Sequence, residues 1–413
     1  MIQHLEILRY RCHRYTSVSL APLHVLAGPA GSGKSTFLDA IRLLSDLVAH
    51  GLDDALAART DTFSDLLWRG SSNRTIGEGG GRTIELAVEC TLPEGLPDRT
   101  LERLAEAGYT LCRYELAIGA GEESEHPVVL AEKLLLMDRP RREHRDPQQP
   151  LFPLGETAPP TVLTPRGLRG TKTVVHKLPE SNDKFYDERG EGWDLSFRLG
   201  PSRLALGGLP EDEERFPVSR WLRRFLTDAI RWESPDLEAI RRPLPPRRNQ
   251  PDSCLLPNST NLAAVVERLQ RSLPDQTGDW IAQLKQIEPH LTGISVARRP
   301  LDQARCLTVH FKNDVNVPAW SLSEGLLRAI CLTLPTVAPP PPGVRLIESP
   351  ETAQHPLAMP AIATALASVH ESQIIATVYA PELLRQIEPE HVLDFQKDET
   401  GIASVRPYQH TSP

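Results

Sequence analysis

The sequence predicts an α/β protein, and three observations predict it. A buried-type strand, LHVLA, runs into a glycine-rich turn and then into a helix with apolar residues at helical spacing, STFLDAIRLLSDLVAHGL. Two alternating runs, TIELAVEC and CRYELAIG, read as strands, and VVLAEKLLLM extends the series. The last third alternates helix and strand, the pattern of a parallel sheet with crossovers.

Taken in order, the opening IQHLEILRY and YTSVSLAP read as β-structure that precedes LHVLA. DDALAARTDTFSDLLWRG, after the first helix, is a short helical or mixed connection. From about residue 139 to 210 the pattern weakens. RPRREHRDPQQPLFPLGETAPPTVLTPRG is rich in proline and charge and reads as a loop or irregular excursion. FPVSRWLRRFLTDAIRWESP looks helical, and RRPLPPRRNQPDS is a further proline and arginine stretch. NLAAVVERLQRSLP and WIAQLKQIEPHL are amphipathic helices, and RCLTVHFK is a strand. SEGLLRAICLTLPTV is a helix broken by APPPPG; VRLIESP is then a buried-type strand. AIATALASVHE reads as helix, and SQIIATVYAP and HVLDFQKD as strands. There is no internal repeat.

With 413 residues, 40% of them hydrophobic and 24% charged, the chain has the composition of a globular protein with a sizeable core. A net charge of −8 argues against a protein that coats nucleic acid along its whole surface, although a local basic groove remains compatible with it. Cys12, Cys90, Cys112, Cys254, Cys306 and Cys331 show neither a CxxC pair nor zinc spacing, so reduced thiols in a cytoplasmic protein are expected. No apolar run approaches the ~18 residues of a membrane span, and MIQHLEILRYRCHRY lacks the apolar region of a signal peptide.

Gly28–Ser35 reads GPAGSGKS and fits G-x-x-x-x-G-K-[ST] at every fixed position. The alternative is a chance Gly/Ser turn, but the preceding strand and following helix supply the context the motif requires. Glycines at Gly28, Gly31 and Gly33 let main-chain N–H groups curl around a phosphate, and Pro29, Ala30 and Ser32 complete the loop. Lys34 would neutralise β/γ-phosphate charge, and the Ser35 hydroxyl would ligate Mg²⁺, with Thr36 next to it on the helix. ATP or GTP is the expected ligand.

The far end separates the classes that share this loop. Leu322-Ser323-Glu324-Gly325 stands at a helix start, about 290 residues after the loop and about twenty before the strand ending in Glu348. This order resembles the ABC-type ATPases of the RecF/SMC/OLD-like branch, and within it AAA-family ATPases of the AAA_21/AAA_15 type. Their N-terminal pattern LEIxNFRSFxxLSLxLGPLNVLIGPNGSGKS is echoed by LEILRYRCHRYTSVSLAPLHVLAGPAGSGKS, and F-x-x-L-L-x-R-G by FSDLLWRG. The resemblance covers roughly residues 1–70 and 255–408. It implies a P-loop, ABC-type ATPase head with a mixed β-sheet N-lobe, a RecA-like core and a helical and irregular insertion. The corresponding divisions are 1–138, 139–254 and 255–413. It further implies a homodimer in which two heads sandwich two ATP molecules. Ser323 and the Gly325 backbone would then meet the γ-phosphate held by the other copy. For LSEG alone, an ordinary serine N-cap is the competing explanation.

Relatives usually show E-E-P-E-x-G-L-H-P after the strand, where this chain has Glu348-Ser349-Pro350-Glu351-Thr352-Ala353-Gln354-His355-Pro356. The resemblance puts Glu348 at the Mg²⁺-facing position and Ser349 where a glutamate would polarise the attacking water. A serine hydroxyl is a poor general base. The family's T-T-H-S-P-E-L-L appears as TVYAPELL, so Tyr379 replaces the switch histidine. Slow turnover of bound ATP is expected, unless Glu351 or a partner chain supplies the base. Arg11 matches the arginine of N-F-R-S-F and is a candidate near the nucleotide, as is Arg69 at the end of FSDLLWRG. His24 and Ala30 stand where the family has asparagines. The arginines at 139–145, 220–224 and 241–248 read either as a groove for DNA or as solvated faces balanced by acids such as those at 211–214. With the sequence running only a little past HVLDFQKDETGIASVRPY, no Toprim nuclease is expected, and there is no long heptad tract. Effector chemistry is therefore expected from a separate partner protein. The expected function is an ATP-gated dimeric switch in DNA transactions or anti-phage defence. The alternatives are an ordinary hydrolysing motor and a scaffold that holds ATP permanently.

Overall fold

The computed structural model describes residues 1–68, 82–93, 95–96, 98–120, 126–143, 158–189, 194–246, 251–368, 371–398 and 401–408. The strands of the first half are β1 (Ile2–Tyr10), β2 (His13–Ser19), β3 (Leu23–Ala27), β4 (Thr83–Thr91), β5 (Leu111–Gly119) and β6 (Val128–Met137). Next come β7 (Thr171–Lys177), β8 (Asp183–Phe185), β9 (Leu195–Phe197) and β10 (Ile230–Glu233). The remainder are β11 (Leu291–Arg298), β12 (Arg305–Phe311), β13 (Val315–Pro318), β14 (Val344–Glu348), β15 (Gln373–Thr377), β16 (Val392–Lys397) and β17 (Ala403–Pro407). They form sheets ordered β2-β1-β4-β5-β6-β7-β8-β9, β10-β14-β15-β3-β16-β17 and β11-β12-β13. The chain divides into two compact units. One comprises Met1–Leu20, Gly31–Ile230 and Phe395–Val405; the other comprises Ala21–Ala30, Arg231–Asp394 and Arg406–Pro413.

The first unit is built on the eight-stranded sheet, whose neighbours pair antiparallel throughout. Its middle strand β5 is buried along its whole length, although it carries Arg113 and Glu115. These charges are retained because they are paired. Arg113 donates to Glu115 at 2.6 Å, Glu89 at 2.8 Å, Glu6 at 2.5 Å and the Val162 carbonyl at 2.8 Å. The Thr164 main-chain N–H and hydroxyl also donate to Glu115, so the segment around residues 161–164 is fastened over this face. Helix Lys34–His50 buries Phe37, Leu38, Ile41, Leu44, Leu47 and Val48 at helical spacing. It ends where Gly51, at φ 88°, returns its N–H to the Leu47 carbonyl.

The region from 139 to 210, expected to be irregular, contributes β7, β8 and β9 to this sheet. β7 buries Val174, Val175, His176 and Lys177 consecutively, and the pairing with β6 shifts register at Leu134/Leu135. A bulged strand loses the period-2 signal, and three-residue strands are too short to show one. The expected helix over FPVSRWLRRFLTDAIRWESP is also cut short. Pro217–Arg224 is α-helical, a π-turn covers Phe225–Ala229, and Ile230–Glu233 is β10. Among the arginine clusters, Arg220 pairs with Glu211 and Glu213, Arg223 with Glu211, and Arg224 with Glu213. That cluster is the acid-balanced face of the two readings. Residues 144–145 and 247–248 of the other two clusters lie outside the described residues.

In the second unit β14, β15, β3 and β16 run parallel. Their core includes Val25, Ala27, Ile347, Ile362, Ile374 and Ala376. The buried run VRLI contains Arg345, which is 1% exposed and pairs bidentately with Glu233 of β10 at 2.5 and 2.7 Å. A second cluster packs helices Leu262–Ser272, Pro274–Ile287 and Glu324–Thr333 with the three-stranded sheet. Within it the indole of the buried Trp280 donates to the Thr333 hydroxyl at 2.9 Å. Among the described residues no helix is long and apolar enough to cross a membrane.

Candidate functional site

Strand β3 delivers the glycine loop at the carboxyl end of the parallel sheet, where ligands of such sheets bind. Leu26, Thr377 and Glu348 lie in one row across β3, β15 and β14, so Glu348 and Gly28 emerge at the same end. β15 separates the strand of the loop from the strand of the acid. Gly28, Gly31 and Gly33 have φ of 137°, 76° and 107°, conformations that side chains resist. Pro29 and Ala30 are exposed beside them.

In the first unit, the rest of the loop opens helix Lys34–His50, which has no acidic residue in its first turn and no side-chain cap. Its N-terminal N–H groups carry the positive end of the helix dipole, which no first-turn carboxylate offsets. Lys34 is 1% exposed and its ammonium donates to the Ser32 hydroxyl at 3.3 Å. Ser35 and Thr36 are half-buried. These residues fit a triphosphate: glycines at positive φ, a buried lysine and a helix start with no acidic residue in its first turn. Bound Mg·ATP would supply a scissile phosphoanhydride there.

Side chains the sequence reasoning missed hold this half of the loop. The buried His13 ring donates from Nε2 to the Gly33 carbonyl at 3.1 Å, while its Nδ1 accepts from the Thr16 hydroxyl at 2.7 Å. Burial lowers its pKa to about 4, which keeps the ring neutral as that arrangement requires. A Cβ at Gly33 would lie 3.0 Å from His13 and 3.1 Å from Cys12, so close approach as well as φ demands glycine. Asp39, one turn along the helix, accepts from Tyr10 at 2.5 Å and pairs with Arg11 at 3.1 Å and Arg59 at 2.9 Å. Arg11 is thus tied to the helix that carries Ser35. The signal available for His13 was the CHR step between two β-runs, which propensity alone does not single out. Arg69 lies outside the described residues.

In the second unit, Glu348 ends β14 exposed, and Ser349 follows at φ 49° with its N–H on the Thr377 carbonyl at 3.0 Å. Glu351 accepts from the N–H groups of Tyr379 at 2.6 Å and Ala380 at 3.3 Å. Its second oxygen is buried without a partner among the described residues. Tyr379 is 44% exposed. Ser323 caps helix Glu324–Thr333, accepting from the Leu326 N–H at 3.3 Å. Gly325 sits against the loop that follows Glu348: its carbonyl accepts from Gln354 at 2.8 Å, and a Cβ there would lie 2.3 Å from the Ala353 carbonyl oxygen. Gly325→Ala should gain about 1 kcal/mol from helix propensity. It is expected instead to lose about 1–3 kcal/mol to overpacking, read as a lower denaturation midpoint. A midpoint equal to or above that of the parent would refute the contact.

Three comparisons bear on this arrangement. The chain matches the AAA_21 family model, described as "AAA domain, putative AbiEii toxin, Type IV TA system", over residues 23–95 and 166–377. Among solved structures, the SMC head bound to the C-winged helix domain of ScpA is 14% identical. It covers 99% of this chain and 98% of that chain, with a TM-score of 0.52. That likeness gives the fold: a P-loop, ABC-type ATPase head of mixed α/β structure. The SMC head domain from Thermotoga maritima is 9% identical, with 99% of both chains covered and a TM-score of 0.45. An SMC head with an extended coiled coil, bound to the C-terminal domain of ScpA from Pyrococcus furiosus, is 11% identical. It covers 98% of this chain and 95% of that one, with a TM-score of 0.49. No curated protein matches the chain.

Proposed function

This chain belongs to the AAA_21 family of AAA domains, ATPases of the ABC-type, RecF/SMC-like branch, and on that premise we propose that it is an ATP-gated dimeric switch that turns its nucleotide over slowly. The observation that carries the proposal is the loop of left-handed glycines leading to the buried Lys34. In this reading, residues 28–36 cradle the phosphates of ATP, Ser35 ligates Mg²⁺, and Glu348 reaches the metal through water. Arg11 lies near the nucleotide. Ser323 and the Gly325 backbone close over the γ-phosphate bound by a second copy. Residues 1–138 and 255–413 build the head around the insertion 139–254.

Slow turnover follows from Ser349, whose hydroxyl cannot take a proton at neutral pH. The matched SMC head carries a winged helix domain of ScpA, and by analogy a separate effector protein is proposed to read the state of this head. DNA transactions or anti-phage defence in the cytoplasm are the proposed setting. One observation favours the motor instead: the unpartnered buried oxygen of Glu351 could hold a water beside the Glu348 end of the sheet.

Purified protein analysed for nucleotide content, and weighed in solution with and without a non-hydrolysable ATP analogue, tests the reading. Retained ATP and a mass that doubles with the analogue are expected. Bound ADP would select the motor, and a dimer independent of nucleotide would select the scaffold. Lys34→Ala is expected to weaken Mg·ATP binding by about 10–100-fold, as for losing hydrogen bonds from a charged donor. Unchanged affinity would overturn the nucleotide site itself.

A further inference from the structure

The geometry points to a second anion site, remote in sequence from the glycine loop: a pocket on the first unit's sheet that takes a small ligand bearing a phosphomonoester. Lys133 of β6 pairs directly with His176 of β7, which pairs in turn with Lys184 of β8. Three basic side chains therefore stand in one cross-strand row, an arrangement that costs stability when the charges face only one another. Arg166, on the segment leading into β7, joins them, its Nη2 3.4 Å from His176 Nε2. Together with Thr173 and Tyr186 these residues line a cavity of about 220 Å³.

The surroundings answer this positive charge only in part, through Glu115 acting on Lys133 from the neighbouring strand. Glu115, opposite Lys133 on β5, is occupied by Arg113 and by the N–H and hydroxyl of Thr164. Lys133 donates to the Thr164 carbonyl at 2.6 Å. Among the described residues no carboxylate forms an ion pair with any of the four. Burial, then the neighbouring cations Arg166, Lys133 and Lys184, lower the pKa of His176, as a concentration of like charge requires. A dianionic phosphate would accept from Lys133, Arg166, Lys184 and the Thr173 hydroxyl together. The volume falls below the roughly 300–1,000 Å³ of drug-sized ligand pockets, which favours a single phosphate group with a small appendage over a polymer.

Isothermal titration of the full chain tests this, with the glycine loop first saturated by Mg²⁺ and a non-hydrolysable ATP analogue. The probes are inorganic phosphate, AMP and a single-stranded 20-mer without a 5′-phosphate. One equivalent of phosphate or AMP is expected to bind, with AMP the tighter if the appendage is a nucleoside and the two equal if it is not. Arg166→Gln with Lys184→Gln, both at exposed side chains, is expected to weaken that binding at least tenfold while leaving affinity for the ATP analogue unchanged and the melting temperature of the free protein equal or higher, since like charges are removed. Lys133→Met should weaken binding likewise from within the pocket, with some loss of stability because its bond to the Thr164 carbonyl goes too. Absence of binding by both small probes, equal binding by the variants, or binding of the 20-mer alone would each overturn the assignment.

Discussion

Ser349→Glu is expected to raise the steady-state rate of phosphate release from Mg·ATP by about 10²–10⁴-fold, the usual worth of a positioned general base. The residue follows Glu348 directly, at the end of β14 where the parallel strands deliver the glycine loop. Its left-handed backbone, φ 49°, already carries the strain of a non-glycine residue, so a longer side chain adds little further cost to the main chain. The Ser349 N–H bond to the Thr377 carbonyl survives the exchange because it uses only main chain. Melting curves of parent and variant control for folding. A parent that already hydrolyses ATP at the rate of the variant would show that Glu351, or a group from another copy, supplies the base.

Arg113→Met is expected to cost about 3–5 kcal/mol of folding stability, measured by chemical denaturation. The guanidinium is 0% exposed and is shared by Glu6, Glu89 and Glu115, of which Glu89 and Glu115 are themselves buried. Removing the cation leaves buried carboxylates without the guanidinium that pairs with them directly, with Lys133 acting on Glu115 only from the neighbouring strand, which is costlier than losing the ion pairs as such. Adding Glu89→Gln and Glu115→Gln to Arg113→Met should therefore recover part of the loss. If the single variant is destabilised by less than about 1 kcal/mol, water reaches this layer and the network is weaker than its distances imply.

The residues themselves show which parts of this architecture could be read in advance. The glycine loop was legible because phosphate binding fixes residue type at fixed spacing, and φ at Gly28, Gly31 and Gly33 is what those glycines allow. Strands β4 and β5 were legible from the alternation of TIELAVEC and CRYELAIG, and β6 as the run VVLAEKLLLM that extends the series. β7 was not, since its polar residues face a basic pocket and a bulge breaks its alternation. β10 was hidden because its extended form depends on a partner more than a hundred residues away, through Glu233 and Arg345. Local propensity cannot register such a pairing. His13, Asp39 and Arg59 escaped for the same reason: single polar residues acquire meaning only when the fold brings them to the loop.

Gly325 leaves no slack between its helix and the Ala353 carbonyl, and the Gln354 amide bolts the two together. The turn after Glu348 and the start of that helix are therefore in direct contact, and a bulkier residue at position 325 has to push one of them aside. The segment that follows the acidic tip of β14 and the helix capped by Ser323 share that single seam.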